Sequence, residues 1–540
     1  PNPTPLNFRT TEAAWYFQDE MKLRPNLTVR LGLRYEMTTG WNERDGISAN
    51  YIFDPAGDLL TNPLIGRSSL TQNNALALWQ PRVGVAWDPT GTGKWAVRAG
   101  FGIHNDLLDN LGNRMNSNPP FNGRLQFQNT SLFSIIPIAS NQAPLPQCQS
   151  LADAAVRPRS CSQYAPAGVE PSLHTPTIQE WSLEVERELM QDLAVEVSYV
   201  GSQSYHLSTS MDMNAIRPLR CENPAGCLAG GVNDAANRAT VPQGTEYVPV
   251  GLRRNPLLGN SQTWMYLGNS SYHAGAVSLT KRSRGGLTFR TNYTFSKVLD
   301  MNSAILGGQH ENESGTILNP HNLGLSKGVA SYHVAHRTNT SFGYDLPFGR
   351  GKFIGGGATG WVDKLIGGWQ WQGVLSAQSG FPILPLAGSN QSGNGDSRQP
   401  DVPNRNPAFQ GNAVLGVDGF KKTGRYFDPN AFLLPLPGTF GNVGRGVYFG
   451  PGQFNVNTSF FKNIPVKEGL NLQFRTEIFN LLNHANFDTP ELIVFEGANP
   501  SCSVPAAVHP SACGIASSGG QILQTTNRER QIQFALRLEF

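Results

Sequence analysis

Side chains alternate in character along unusually long stretches of this chain, and that constrains the fold more than any motif does. In "LTVRLGLRYE", Leu27, Val29, Leu31, Leu33 and Tyr35 share one face of an extended chain, with Thr28, Arg30, Arg34 and Glu36 opposite. In "LTFRTNYTFS", Leu287, Phe289, Tyr293 and Phe295 oppose Thr288, Arg290, Asn292 and Thr294. In "WSLEVEREL", Trp181, Leu183, Val185 and Leu189 oppose Glu184, Glu186 and Glu188, with Arg187 interrupting the apolar side; "LAVEVSYV" follows with Leu193, Val195, Val197 and Tyr199 against Glu196 and Ser198. The final stretch, "RQIQFALRLEF", sets Ile532, Phe534, Leu536, Leu538 and Phe540 against Gln531, Gln533, Arg537 and Glu539. The pattern predicts thirteen strands, at 12–23, 26–36, 80–88, 94–104, 176–189, 192–202, 271–283, 286–298, 334–346, 368–380, 453–462, 469–483 and 528–540. Most run to about 10–14 residues, against about 5–6 in ordinary globular sheets.

The connections are as informative as the strands. Short ones (Arg24-Pro25, "PTGTG", Met190-Gln191, Arg284-Gly285, "NIPVKE") alternate with the long segments 37–79, 105–175, 203–270, 299–333, 381–452 and 484–527, if 347–367 is counted with the short set. The long segments are rich in Asn, Pro, Gly and Ser and hold every cysteine. A compact soluble domain seldom contains even one structureless loop of that length. A transmembrane antiparallel β-barrel with short turns on one side and long extracellular loops on the other has this asymmetry throughout. Backbone groups find no water in hydrocarbon, so a spanning sheet must close on itself, with an apolar outer face and a lumen free to be polar. That accounts for an apolar share of 39% and a charged share of 15% together with 10% aromatics. Trp15, Phe17, Trp181, Tyr199, Trp369, Trp371, Phe460 and Phe461 are placed as interfacial girdles near strand ends. No run reaches the roughly 18 apolar residues of a spanning helix. The net charge of +3 gives no reason to expect a nucleic-acid partner.

The six cysteines form three local pairs, Cys148 with Cys161, Cys221 with Cys227 and Cys502 with Cys513. Zinc-type CxxC spacing and paired histidines are missing, so loop disulfides in an oxidising compartment are expected. His333 and His336, three apart on an extended chain, would face opposite sides and could not easily share a metal. His310, Glu311 and Glu313 read as a solvated loop. Asp396 and Asp401 in "SGNGDSRQPD" lack the ordered ligand spacing of a calcium loop. "FIGGGATG" is not followed by Lys-Ser/Thr, and G-x-S-x-G does not occur, so neither a phosphate cradle nor a hydrolase elbow is indicated. Glu184, Glu186 and Glu188 read as a lumen stripe neutralised by inward arginines on other strands, not as a catalytic pair. No enzyme activity and no cofactor are therefore expected. Recognition is expected on the long loops. There Trp264, Tyr266, Tyr426 and Phe427 could either stack on a sugar or peptide or pack loop against loop.

If the short turns face the periplasm, strands one and thirteen run in the same direction and cannot close antiparallel on each other. Bacterial single-chain barrels have even strand number, so residues 1–540 are expected to be the C-terminal part of a larger barrel of about 22 strands. The opening "PNPTPLNF" carries no leader-like segment, which fits either a removed leader or an upstream region.

"TPTIQEWSLEVEREL", "LAVEVSYVGSQSYHL", "YHVAHRTNTSFGYDLPFGRGK", "QFRTEIFNLLNHANFDTP" and the terminal "RQIQFALRLEF" together resemble the barrel of TonB-dependent receptors of the Oar-like, carboxypeptidase-regulatory-domain type. The resemblance covers most strands and few loops. It implies an integral outer-membrane transporter for a large or scarce ligand, with a plug and a regulatory-type domain upstream. It also implies energy from the TonB–ExbB–ExbD complex through that upstream region, an unknown extracellular ligand, and Phe540 as the aromatic terminus read by the barrel-assembly machinery. A passive or adhesive barrel is the alternative. The regulatory-type domain is non-catalytic, so the resemblance implies no peptidase.

Overall fold

The computed structural model describes residues 4–540 except 108–109, 123–147, 149, 151, 153–162, 233–234, 285, 304–315, 397, 399–400, 468, 498 and 511–512. Thirteen strands pair in chain order: β1 (Glu12–Arg24), β2 (Leu27–Thr38), β3 (Leu78–Trp87), β4 (Trp95–Asn105), β5 (Thr177–Met190), β6 (Leu193–Met211), β7 (Gln262–Arg284), β8 (Leu287–Asp300), β9 (His336–Asp345), β10 (Trp369–Gln378), β11 (Gln453–Lys467), β12 (Leu470–Phe479) and β13 (Gln531–Glu539). Every contact between neighbours in this series is antiparallel. All thirteen predicted strands are present. β1 and β13 are the two edges of the sheet, and among the described residues no ladder joins them.

The register carries one face across the whole sheet. Trp15, Tyr35 and Trp79 lie in one row, and Val185, Val197 and Val277 in another. At the far edge Phe474 pairs with Leu536, and Thr476 with Phe534. Most of these side chains stay exposed and the rest are half-buried: Trp15 is 49% accessible, Val197 53% and Leu536 71%. An apolar face this wide, left open, needs a lipid covering. At the loop end Trp15, Tyr35 and Trp79 pack ring to ring with centroids 4.9–5.7 Å apart, while the Tyr35 hydroxyl donates to the Leu76 carbonyl (2.7 Å). A row of ring bodies on the apolar face with a polar tip reaching outward is the girdle arrangement. The turn end has its own aromatics, Trp87, Trp95 and Trp369.

Arg187, the break in an otherwise apolar face, pairs in register with Trp95 and lays its guanidinium over that ring at 4.6 Å. An arginine near a strand end can keep its charge at the interface while its stem and the indole stay in the apolar layer. One predicted girdle residue is corrected. Phe460 pairs with Trp371 on the outer face, and Phe461, its neighbour, turns inward beneath the Arg475 guanidinium, 5.1 Å from the ring centre. Adjacent strand residues cannot share a face.

Tight turns join the strands at one end. Asp192 (φ 69°) and Gly286 (φ 84°) supply the positive φ that two-residue hairpins require. In the turn after β3, the Asp88 carboxylate accepts from the backbone of Gly93 (2.6 Å) and from Thr90, and these bonds hold its pKa below the usual carboxylate range. At the other end β6 and β7 run to 19 and 23 residues. They rise past the girdle and form the base of a folded cap.

Candidate functional site: the lumen wall and the loop cap

The inward face is lined with ions. Glu20 meets Arg30 at 2.5 Å, and Arg34 pairs with Glu36, which also accepts from Gln80. His104 lies between Arg82 (3.2 Å) and Glu180 (3.8 Å). Arg98 bonds both Glu184 and Glu186, as the expected neutralisation of the glutamate stripe requires. Beyond them Glu196 pairs in register with Glu186, and Arg537 with Glu539 lines the last strand at 3.2 Å. Apart from Glu36, the ionic groups in these pairs keep about a third or more of their side-chain surface open. Exposed pairs of this kind add at most about 1 kcal/mol each. They stabilise little and keep the inner wall wettable, as a polar passage needs.

The long connections are not structureless. Residues 381–452 and 484–527 share one core in which Phe427, Phe432, Leu434, Val494 and Phe495 are 0–1% exposed. Pro382–Ile383 pairs with Tyr448–Phe449, and Asn404–Arg405 with Phe432–Leu433. A helix at Gly416–Thr423 ends at Gly424, whose φ of 75° forms the C-terminal cap. A second core joins Trp41, Leu70, Met115, Val169 and Leu173 to Trp264 and Tyr266 on β7. Fully burying each large apolar side chain contributes about 1.5–3 kcal/mol, so two such cores can hold long loops in one shape.

Buried amides then close the backbone. Asn118 donates to the carbonyls of Ala49 and Ala167 (2.7 and 2.5 Å), Asn50 to those of Ser69 and Val169 (2.8 and 3.0 Å), and Asn214 to those of Leu258 and Gly259 (3.1 and 2.8 Å). Satisfying carbonyls that no ladder reaches is what allows irregular chain to be buried.

Ion pairs stitch one loop to another. Arg253 meets Asp212 at 2.7 Å and donates to the Gly395 carbonyl (2.6 Å). Arg398 holds Asp396 with both arms of its guanidinium and reaches Ser210. Arg445 meets Asp300 at 2.8 Å and also donates to the Ser326 carbonyl (3.0 Å) and the Ser303 hydroxyl (3.1 Å).

The residues singled out in the sequence fall as follows. Trp264, Tyr266, Tyr426 and Phe427 are at most 5% exposed, so they pack loop against loop. Cys221–Cys227 and Cys502–Cys513 are disulfides with Cα separations of 5.7 and 5.2 Å. Cys148 is disulfide-bonded, and Cys161 lies outside the described residues. Alkylation of the unreduced, denatured protein should therefore leave Cys221, Cys227, Cys502 and Cys513 unmodified by mass spectrometry, and modification should follow reduction. His336 opens β9 and meets the Tyr293 hydroxyl at 2.8 Å. His333 is buried against Phe449, and desolvation, helped by nearby Lys297, lowers its pKa. His310, Glu311 and Glu313 lie outside the described residues.

Asp401 is fully buried. It accepts from the Ser392 amide (2.5 Å) and hydroxyl (2.9 Å), and burial raises its pKa from 3.8 to about 7. A carboxyl raised on folding stabilises the folded cap below about pH 4, and that contribution is lost as the pH climbs through 7. The span amounts to about 4 kcal/mol. Amide hydrogen exchange around Ser392 should accordingly be slower at pH 5 than at pH 8 after correction for intrinsic rates. Asp401→Asn should remove that difference. Sequence reasoning missed Asp212, Asp300, Arg253 and Arg445, because isolated loop charges give no signal when the partner is tens of residues away.

A family model described as outer membrane beta barrel domain matches residues 1–533. No curated protein matches the chain. Among solved structures, the chain is similar to the ferripyoverdine receptor of the outer membrane of Pseudomonas aeruginosa (8% identity, TM-score 0.40, covering 100% of this chain and 40% of that one). It is also similar to the FrpB iron transporter from Neisseria meningitidis (10%, 0.41, 99% and 46%) and to the outer membrane transporter YddB from Escherichia coli (8%, 0.38, 98% and 54%). The chain thus spans about two-fifths to a little over half the length of these proteins. An antiparallel wall with a lipid-type outer face and an ionic inner one, matched by that family along nearly its whole length, is an integral protein of the outer membrane, and the chain belongs to the outer membrane beta barrel domain family.

Proposed function

We propose that this chain is the C-terminal barrel portion of a TonB-dependent outer-membrane transporter of the Oar-like type, taking up a large or scarce solute such as an oligosaccharide or peptide. The observation that carries this reading is the pairing of a wettable, ion-lined inner wall with a rigid loop cap standing over one end of it. The cap would capture the ligand, and the passage would open through a plug driven by TonB–ExbB–ExbD from the periplasmic side. β1 and β13 run in the same direction, so antiparallel closure needs an odd number of further strands; about nine would complete a 22-stranded barrel. Phe540, on the outward side just past β13 and 95% exposed, is the proposed contact for the barrel-assembly machinery.

The dense internal packing of the cap also favours a second reading, a passive or adhesive barrel. Energy coupling separates the two. Cells carrying the intact gene should accumulate labelled maltodextrins or peptides from a screening panel and stop when a protonophore collapses the inner-membrane proton gradient. Uptake unaffected by the protonophore would support the passive barrel and overturn energised transport.

A further inference from the structure

The connection between β9 and β10 is the longest at the turn end, and it differs from the others in chemistry. The turn after β3, residues 88–94, carries Asp88, Thr90, Thr92 and Lys94 and no large apolar side chain. Between β9 and β10, by contrast, Phe353 is 94% exposed, Trp361 75% and Leu365 62%. This is a folded segment. The Gly349 amide donates to the Ile354 carbonyl (2.9 Å), and the Arg350 amide donates to the Asp363 carboxylate (2.6 Å). That second bond clamps the loop onto the helix α1 (Gly360–Ile366). One turn of helix separates Trp361 from Leu365, so both project from the same side.

The helix is tied to the outer face of the wall. Trp369, which pairs in register with Lys462 on that face, donates its indole N–H to the Leu365 carbonyl (3.1 Å). The Lys462 ammonium donates to the Gly367 carbonyl and sits 5.7 Å from the Trp369 ring centre. Two outward-facing wall residues thus satisfy carbonyls at the C-terminal end of α1, where such groups would otherwise be unpaired. Trp371 and Phe460 continue the outward surface upward from that point. The cations Arg350, Lys352 and Lys364 are exposed around the apolar group, and the segment's one carboxylate, Asp363, is already engaged.

We propose that residues 347–367 form an interfacial foot that lies on the phospholipid leaflet facing the periplasm, with Phe353, Trp361 and Leu365 inserted at the acyl boundary and Arg350, Lys352 and Lys364 among lipid phosphates. An exposed aromatic and aliphatic group ringed by basic side chains is what a helix lying in the interface presents. Continuity with the lipid-facing wall selects lipid over a periplasmic protein as the occupant.

The test places a polarity-sensitive dye on a cysteine at Trp361→Cys or, as a control, Thr90→Cys. The full-length protein is folded into nanodiscs of phosphatidylethanolamine and phosphatidylglycerol, and heat-modifiable gel mobility confirms folding. Dye emission at 361 should be blue-shifted, and iodide should quench it several-fold less than at 90. Equal quenching at the two positions overturns the proposal. In cells, a photoreactive phenylalanine analogue at 361 should yield lipid adducts, and crosslinks predominantly to a periplasmic protein would overturn it. If Trp361→Cys fails to fold, Leu365→Cys provides the same readout from the same side of the helix.

Discussion

Val197→Arg should cripple folding, while Ser198→Arg, one residue along, should leave it nearly untouched. Val197, the fifth residue of β6, lies on the outward face between Val185 and Val277 and is 53% exposed. A lipid-facing arginine near the bilayer midplane costs about 2–4 kcal/mol. Ser198 faces inward and pairs in register with Glu184, so an arginine there enters water and finds a carboxylate. Urea unfolding in lipid vesicles, followed by heat-modifiable mobility, should show a lowered midpoint for the first variant only. Equal loss for both would contradict the assignment of faces on which the whole account of the wall depends.

Arg445→Ala should loosen the cap and leave the wall intact. The Arg445–Asp300 pair is buried on both sides, with side chains 8% and 3% exposed, and it joins the segments 299–333 and 381–452. Removing the guanidinium leaves the Asp300 carboxylate in the cap interior with the Ser303 hydroxyl (2.6 Å) but without its counter-charge, and leaves the Ser326 carbonyl without this donor. Breaking a buried pair in that way costs about 3–5 kcal/mol. Limited proteolysis should cut the variant within 299–333 or 381–452 under conditions where the parent protein resists, while the unheated gel band stays in place. Arg445→Met would fare somewhat better by retaining packing volume, but the carboxylate would still lack its partner.

The wall was legible in the sequence because lipid and water select side chains on a strict two-residue period. β2, β5 and β13 could be drawn from alternation alone. The errors lie where that selection stops. β7 begins at Gln262, nine residues before its predicted start at 271, because "WMY" at 264–266 has no period of two. There the strand has left the membrane, and cap loops cover both of its sides, so Trp264 and Met265 are buried together. β12 stops at Phe479, short of the predicted 483, because Asn480 and Asn483 take positive φ (50° and 51°) and turn the chain into the cap. The cap's organisation was hidden for a related reason. Its cores are built from segments far apart in the chain, and its amides and ion pairs bridge segments up to 196 positions apart, as between Asn255 and Leu59. Composition marked these residues as loop and gave no sign that they share an interior. For the same reason the sequence left open whether Tyr426 and Phe427 stack on a ligand or pack loop against loop, and the structure makes them interior packing.

The 23-residue length of β7 has a mechanical consequence. At about 3.3 Å per residue it extends roughly 75 Å, and a tilt near 45° still leaves a vertical reach of about 50 Å, twice the apolar band of a barrel of this kind. With β6 paired beside it, in unbroken register from Leu193 to Tyr205, it forms a mast rooted in the bilayer and standing well clear of the headgroups. Whatever the cap meets, it meets at that height, and the register shifts at Tyr205–Leu207 and Leu207–Thr209 mark where the mast can bend.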